Sequence, residues 1–300
     1  MKKQLLIAGG TGLIGTAIKE SALSLGWEVM ILSREPGPGK MVWNPAKRTI
    51  SLAEVMTFDA IINLAGASIA GSKWTTTRKK EIVDSRVDAA ATLEKYLQQG
   101  LLKAQTYIGA SAIGIYGDRG SEPLDETSPI VVEDQWMVKT VQLWEKAHAA
   151  IESLGIRTVI TRIGIVMSEK GGALPEIIQT APFGFLGYFG DGHQIWPWIH
   201  IDDLVDIIIL AVEDDKMQGT YLAVAPFPAS NKEIVKAVSP VYSPHRLVIP
   251  VPVFGLKMML GEMHQMLMQS CNAHPARLIK ENFSFKYKRI EEAMDDLIRK

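Results

Sequence analysis

Glycines at positions 9, 12 and 15 separate an apolar run, Leu5-Leu6-Ile7-Ala8, from a stretch of helical periodicity that opens at Leu13. This junction constrains the fold more than any other feature of the chain. Gly9 allows a tight turn at φ > 0, Gly12 lets the backbone approach a diphosphate, and Gly15 lets a helix pack closely behind the turn. The unpaired N–H groups and positive dipole end of that helix then face the phosphates. A bare glycine triplet is a weak signal, and an ordinary glycine-rich βα turn is the plain alternative. A strand before it and a helix after it make it a dinucleotide fingerprint, with Gly9, Thr11, Gly12, Leu13, Ile14 and Gly15 as candidate cofactor contacts.

Strand-like and helical stretches alternate along most of the chain, which predicts an α/β fold with a parallel sheet covered on both faces. Glu28–Leu32, Asp59–Leu64, Thr106–Ala110 and Arg157–Arg162 read as strands, and residues 75–99 and 136–153 as helices. Glu35-Pro36-Gly37-Pro38-Gly39 is a turn. Beyond about residue 165 the βα rhythm loosens, and Leu247–Val253, with its two prolines, breaks it again. The methionine-rich stretch from Met258 to Met268 is read as a helix packed on its own domain, with an adaptable ligand surface as the alternative.

With 300 residues, 47% of them hydrophobic, the chain suits one large α/β domain or a domain with a smaller appendage. A net charge of −1 with interleaved signs offers no basic face for nucleic acid. One cysteine, Cys271, forms no disulfide framework and fits a reducing, cytoplasmic setting. The apolar run near the N-terminus is too short for a signal h-region, and no window reaches the length of a membrane span. Among the six histidines none shows metal-ligand spacing. The partner expected is a small-molecule substrate, and the assembly a monomer or homodimer.

The end of the second strand discriminates between dinucleotides. An acid there binds the ribose 2′-hydroxyl and repels a 2′-phosphate. Here the chain reads Leu32-Ser33-Arg34: Arg34 can clamp a phosphate with its planar fork, and Ser33 can add a hydrogen bond. NADP(H) is therefore expected over NAD(H), with Glu35 one residue later.

Four segments in order carry a family resemblance: Gly9-Gly10-Thr11-Gly12-Leu13-Ile14-Gly15, Asn63-Leu64-Ala65-Gly66, Ala110-Ser111-Ala112-Ile113-Gly114-Ile115-Tyr116-Gly117, and Gly190-Asp191-Gly192-His193-Gln194 with Trp198-Ile199-His200-Ile201-Asp202-Asp203. The set resembles the extended short-chain dehydrogenase/reductase superfamily. Trp43-Asn44-Pro45, Trp74, Glu81–Arg86, Trp144-Glu145 and Phe283–Tyr287 narrow it to what looks like the epimerase-like YfcH family, whose members often carry a cell-division-inhibitor label. The resemblance implies a Rossmann-type doubly wound parallel sheet over residues 1–165, returning at about 200–225, with a small α+β substrate-side domain over 166–300. It also implies NADP(H) binding. The turn at Leu64, Ala65 and Gly66 should run beside the adenosine. Glu81 and Arg86 lie on the following helix, where Arg86 is placed either to reach the cofactor phosphates or to form a surface ion pair. His200, Asp202 and Asp203 match positions that cap the next helix.

The resemblance further implies a Ser and a Tyr that hold the reacting oxygen, and a Lys, four residues after the Tyr, that holds the nicotinamide ribose and lowers the Tyr pKa. Ser111 matches the Ser. Lys139 is the candidate Lys, against a solvated helix charge, but four residues before it stands Gln135, which cannot serve as a proton acid. Tyr116 is the candidate substitute, against a purely structural role in its loop. The reading is an oxidoreductase or epimerase acting on a small carbonyl or alcohol; its alternative is a non-catalytic NADP(H) sensor. The arginine clamp of nucleotide-sugar enzymes gives way here to Trp196-Pro197-Trp198. With Phe183, Phe185, Tyr188 and Phe189, these suggest an apolar, aromatic pocket, with at least half of the six expected instead to pack the domain junction.

Overall fold

Strand β1 (Gln4–Ala8) is buried at every residue but its first, as expected of a central parallel strand covered on both faces. The computed structural model of the chain describes residues 2–130, 135–242 and 247–299. After β1 come α1 (Leu13–Ser24), β2 (Glu28–Ser33), β3 (Lys40–Asn44), β4 (Met56–Asn63), α2 (Thr76–Gln98) and β5 (Leu102–Ala112). Helix α3 (Trp136–Glu152), β6 (Arg157–Ile163), α4 (Ile201–Glu213) and β7 (Gly219–Ala223) complete the core. The sheet order is β7-β6-β5-β4-β1-β2-β3, parallel throughout, with the two-residue strand Thr49–Ile50 added antiparallel at the β3 edge. Strand order reverses between β1 and β4, the switch point at which such sheets bind ligands beyond their carboxyl ends. This is the Rossmann-type sheet that the glycine junction predicts.

Alternation along each strand assigns the two faces. Leu5, Ile7, Ile62, Ile108 and Val159 pack under α1 and α4 with Ile18, Leu204 and Ile208. Leu6, Ile61 and Tyr107 pack against Ala89, Leu93 and Leu97 of α2 and Ile151 of α3. A helix as apolar as α4 is possible because seven of its residues from Leu204 to Val212 are buried.

After β6 the chain builds a second, smaller core around Met167, Leu174, Leu186, Trp196, Trp198 and Ile234, closed by Ile290 and Met294 of the final helix Ile290–Arg299. Leu247–Val251 forms a strand parallel to Phe185–Phe189, with Pro250 opposite Tyr188. A two-stranded sheet tolerates this proline because each strand has an edge that needs no partner. Two contacts fasten this unit to α4. Asp203 accepts hydrogen bonds from the backbone N–H groups of Lys286 (2.7 Å) and Tyr287 (3.1 Å). The His200 ring lies 3.9 Å from that of Tyr287.

Candidate functional site

The glycine turn is built for close approach. Gly9 has φ +82°, and a Cβ there would stand 2.9 Å from the carbonyl of Leu64. A Cβ on Gly15 would stand 2.3 Å from the Gly9 carbonyl oxygen, so this glycine lets α1 close on the turn itself. Gly12 meets only that same oxygen, at an ordinary 3.4 Å, and is the N-cap of α1. No side chain caps the helix and its first turn holds no acid. The leading N–H groups of α1 are therefore left for an anion. Thr11 and Gly12 are exposed, Leu13 and Ile14 half-buried. Leu13 also rests against Gly171 and Gly172 of the smaller unit.

Across the switch point, the turn after β4 is held from below. Asn63 accepts from the Ala65 N–H (3.2 Å) and donates to the Tyr107 hydroxyl (2.9 Å). Tyr107 lies 2.8 Å from His148 Nδ1, and His148 Nε2 lies 3.0 Å from the Ala110 carbonyl. One pattern satisfies all four groups: Nε2 carries the proton and donates to Ala110, while Nδ1 accepts from Tyr107. Burial pushes the His148 imidazole down to about 4 and holds it neutral. The 63–66 turn is thus locked to β5 by a buried relay. At the end of β2, Ser33 Oγ accepts from the Glu35 N–H at 3.1 Å. Arg34 is exposed, and its guanidinium has no ion-pair partner among the described residues.

Ser111, 2% exposed at the end of β5, donates to Glu145 Oε1 at 2.6 Å. Arg162 grips the same carboxylate with two bonds, 2.8 and 2.9 Å, and donates a third to the Tyr116 hydroxyl at 2.8 Å. Tyr116 in turn donates to the Asp125 carbonyl at 2.9 Å. The result is a buried network from Ser111 to the 113–125 loop with each charge matched. In it Tyr116 takes the loop-shaping place that was weighed against a proton donor. That ring is fully buried, its hydroxyl is engaged on both sides, and desolvation raises its pKa.

The network also fixes which face of α3 looks at the site. Glu145 bonds Ser111, so residues four and eight positions earlier share its face. These are Val141 and Met137, and both line a cleft of about 260 Å³ beside Ser111's strand end, with Arg86, Ala112, Ile113, Thr140, Trp144, Trp196, Met266 and Cys271. The pair of helix positions four apart that faces the cleft therefore holds Met and Val, not Tyr and Lys. Lys139 lies two residues from each, is exposed and is not among the cleft-lining residues. Gln135 binds Gln269 across the mouth at 3.0 Å.

Arg86 is no surface ion pair. It is half-buried beside Gly66, donates from Nη1 to the Ala67 and Ile82 carbonyls at 3.0 Å, and stacks 4.9 Å over the Trp144 ring. Desolvation, helped by the nearby Arg78, lowers it to about 10. It remains a cation at neutral pH. Glu81 is exposed and pairs with Arg78 at 2.7 Å. Of the six aromatics divided in expectation between the pocket and the domain junction, Trp196 lines the cleft. Trp198 is buried with its indole bonded to the Phe227 carbonyl, and Phe183 is 80% exposed.

A larger cavity, about 490 Å³, lies where α1 meets α4 and the final helix, lined by Glu20, Glu169, Asp202, Asp206 and Asp296 against Lys170 and Lys286. Thr11, Gly12 and Leu13 of the glycine turn line it as well, so these acids flank the same space that the turn opens into. His200, Asp202 and Asp296 approach one another there. Nδ1 of His200, however, accepts from the Asp202 N–H at 3.1 Å and caps α4, and Nε2 faces Asp296 at 3.5 Å. The histidine joins α4 to the smaller unit.

Glu145, Arg162, His148 and the Met137–Val141–Trp144 face were not expected as site residues. The sequence carries no mark for that face, which follows from the Ser111–Glu145 bond. Among the described residues no helix is long and apolar enough to cross a membrane.

Comparison with known proteins agrees with this geometry. The chain is 36% identical to the Epimerase family protein YfhF of Bacillus subtilis, over 98% of this chain and 97% of that protein. It is 31% identical to the Epimerase family protein SDR39U1 of Mus musculus, over 98% and 99%. The crystal structure of human epimerase family protein SDR39U1 (isoform 2) with NADPH superposes with a TM-score of 0.89 at 28% identity, covering 99% of each chain. Residues 251–297 match a domain of unknown function, DUF1731. Residues 5–223, the whole sheet with its switch point, match the NAD dependent epimerase/dehydratase family, and the chain belongs to that family.

Proposed function

We propose that this protein binds NADP(H) at the switch point and is an oxidoreductase for a compact carbonyl or alcohol compound in the adjoining cleft. The observation that carries the cofactor reading is the pairing of an uncapped α1 N-terminus with an exposed, unpaired Arg34 at the end of β2. The residues present fit the group. Gly9, Thr11, Gly12, Leu13, Ile14 and Gly15 would hold the diphosphate, Ser33 and Arg34 the 2′-phosphate, and Leu64, Ala65 and Gly66 the adenosine side. The NADPH-bound structure of human SDR39U1 supports the same choice. When bound, the cofactor supplies hydride-transfer chemistry.

What the chain's own residues do is narrower. Ser111 gives its proton to Glu145, which leaves the lone pairs of its oxygen as its remaining hydrogen-bonding capacity. This suits an alcohol hydroxyl; receiving a carbonyl oxygen requires the Ser111 hydroxyl to turn away from Glu145. Glu145 and Arg162 hold that serine in place. No cleft-lining residue among those described repeats the Tyr–Lys pair. That absence favours the second reading, a sensor that binds NADP(H) without turnover.

A panel of aldehydes, ketones and secondary alcohols with NADPH or NADP+ separates the two. Turnover reduced at least tenfold by Ser111→Ala supports the enzyme. Micromolar NADPH binding with no turnover across the panel supports the sensor.

A further inference from the structure

The cleft has an imbalance of polar groups. Trp144 and Trp196 are 8% and 5% exposed, line the cleft, and have indole N–H groups with no acceptor among the described residues. Arg86 lines it too, paired with no carboxylate there, and only Nη1 of its guanidinium is engaged. No Asp or Glu is among the lining residues. The walls are otherwise mainly apolar, with Met137 and Met266 on opposing segments. A half-buried cation and two orphan donors in an apolar pocket call for an acceptor-only, negatively charged head on an apolar body.

We propose that the cleft binds a compact apolar carboxylic acid, its carboxylate received by the Arg86 guanidinium with the Trp144 and Trp196 indoles as supporting donors. This deepens the oxidoreductase reading and rests on it for the redox partner: the substrate class becomes an oxo or hydroxy acid with an apolar chain. The planar fork of Arg86 suits a carboxylate bidentately. The cleft, at about 260 Å³, lies below the usual ~300–1,000 Å³ of ligand pockets, which favours a small acid over a nucleotide sugar. The proposal moves Arg86 from the cofactor phosphates to the substrate.

The probe is 3-phenylpropanoate, a redox-inert acid, compared with its methyl ester. Each is titrated into the full chain with and without NADPH, read by calorimetry and by the indole ¹H–¹⁵N resonances assigned through Trp144→Phe and Trp196→Phe. The acid should bind at least about tenfold tighter than the ester, the scale of one charge-assisted hydrogen bond. It should shift both indole signals. Arg86→Met should remove the acid's advantage, Arg86→Lys should retain part of it, and Arg86→Met should leave NADPH affinity within about twofold. Equal affinities for acid and ester overturn the proposal. So does an Arg86→Met protein that loses NADPH and keeps the acid, because Arg86 then serves the phosphates. If Arg86→Met does not fold, the wild-type acid-to-ester ratio and Arg86→Lys decide. Acid binding without any NADPH binding defeats the cofactor reading and leaves this one standing.

Discussion

At the scale of single residues, the structure separates groups engaged inside the fold from groups left facing a ligand. Arg34 is of the second kind. Arg34→Ala should weaken NADPH by roughly tenfold to a hundredfold, the worth of about 1.5–3 kcal/mol for hydrogen bonds to a charged group, and change NADH by less than about threefold. Lys139 is exposed and does not line the cleft, so Lys139→Ala should leave NADPH affinity within about twofold in a fluorescence titration. A large loss would return it to the ribose. His148 is of the engaged kind. Its folded pKa, about 4, lies below the 6.5 of a free imidazole. The unfolded chain therefore binds more protons across that window, and stability falls as the pH drops from 6.5 toward 4. Between pH 7 and 5 this group should cost about 2 kcal/mol at 1.36 kcal/mol per pKa unit. Thermal unfolding should show that increment in the native chain and lose it in His148→Phe, though the variant also loses the relay. An unchanged pH slope would contradict the assignment.

At the scale of elements, the glycine turn and α1 act as one piece. Gly15→Ala would put a methyl 2.3 Å from a backbone oxygen, and backbone cannot swing aside as a flexible side chain can. The expected result is a loss of about 1–3 kcal/mol from overpacking, with NADPH affinity reduced at least tenfold as α1 lifts from the turn. Normal stability and affinity would show that the turn is looser than described. The same scale marks where sequence was legible. Helices over 75–99 and 136–153 are found at Thr76–Gln98 and Trp136–Glu152, and the four later strands stand where alternation and β-branching placed them. The face of α3 was not legible. Met137 and Val141 carry no chemical mark, and only the Ser111–Glu145 bond reveals that they, not Gln135 and Lys139, look into the site. The surroundings of Tyr116 were hidden for a related reason: sequence gives its distance from Ser111 along the chain, and Arg162, which engages its hydroxyl, arrives from another strand.

At the scale of the whole molecule, two cores divide the labour. The parallel sheet with its four helices sets the switch point, and the smaller unit supplies Trp196, Met266 and Gln269 to close the cleft from the other side. The sheet was legible because each βα repeat leaves its own periodicity in the sequence. The smaller unit was not, since its short elements meet across long stretches of chain, as when Leu247–Val251 pairs with Phe185–Phe189. The central claim is that the switch point of this assembly holds NADP(H) through Arg34. Fluorescence titration of the purified chain with NADPH and NADH, repeated on Arg34→Ala, tests it most directly. NADPH should bind at least tenfold tighter than NADH, and the substitution should erase that preference. Equal affinities in the native chain, or a preference that survives the loss of Arg34, would contradict it.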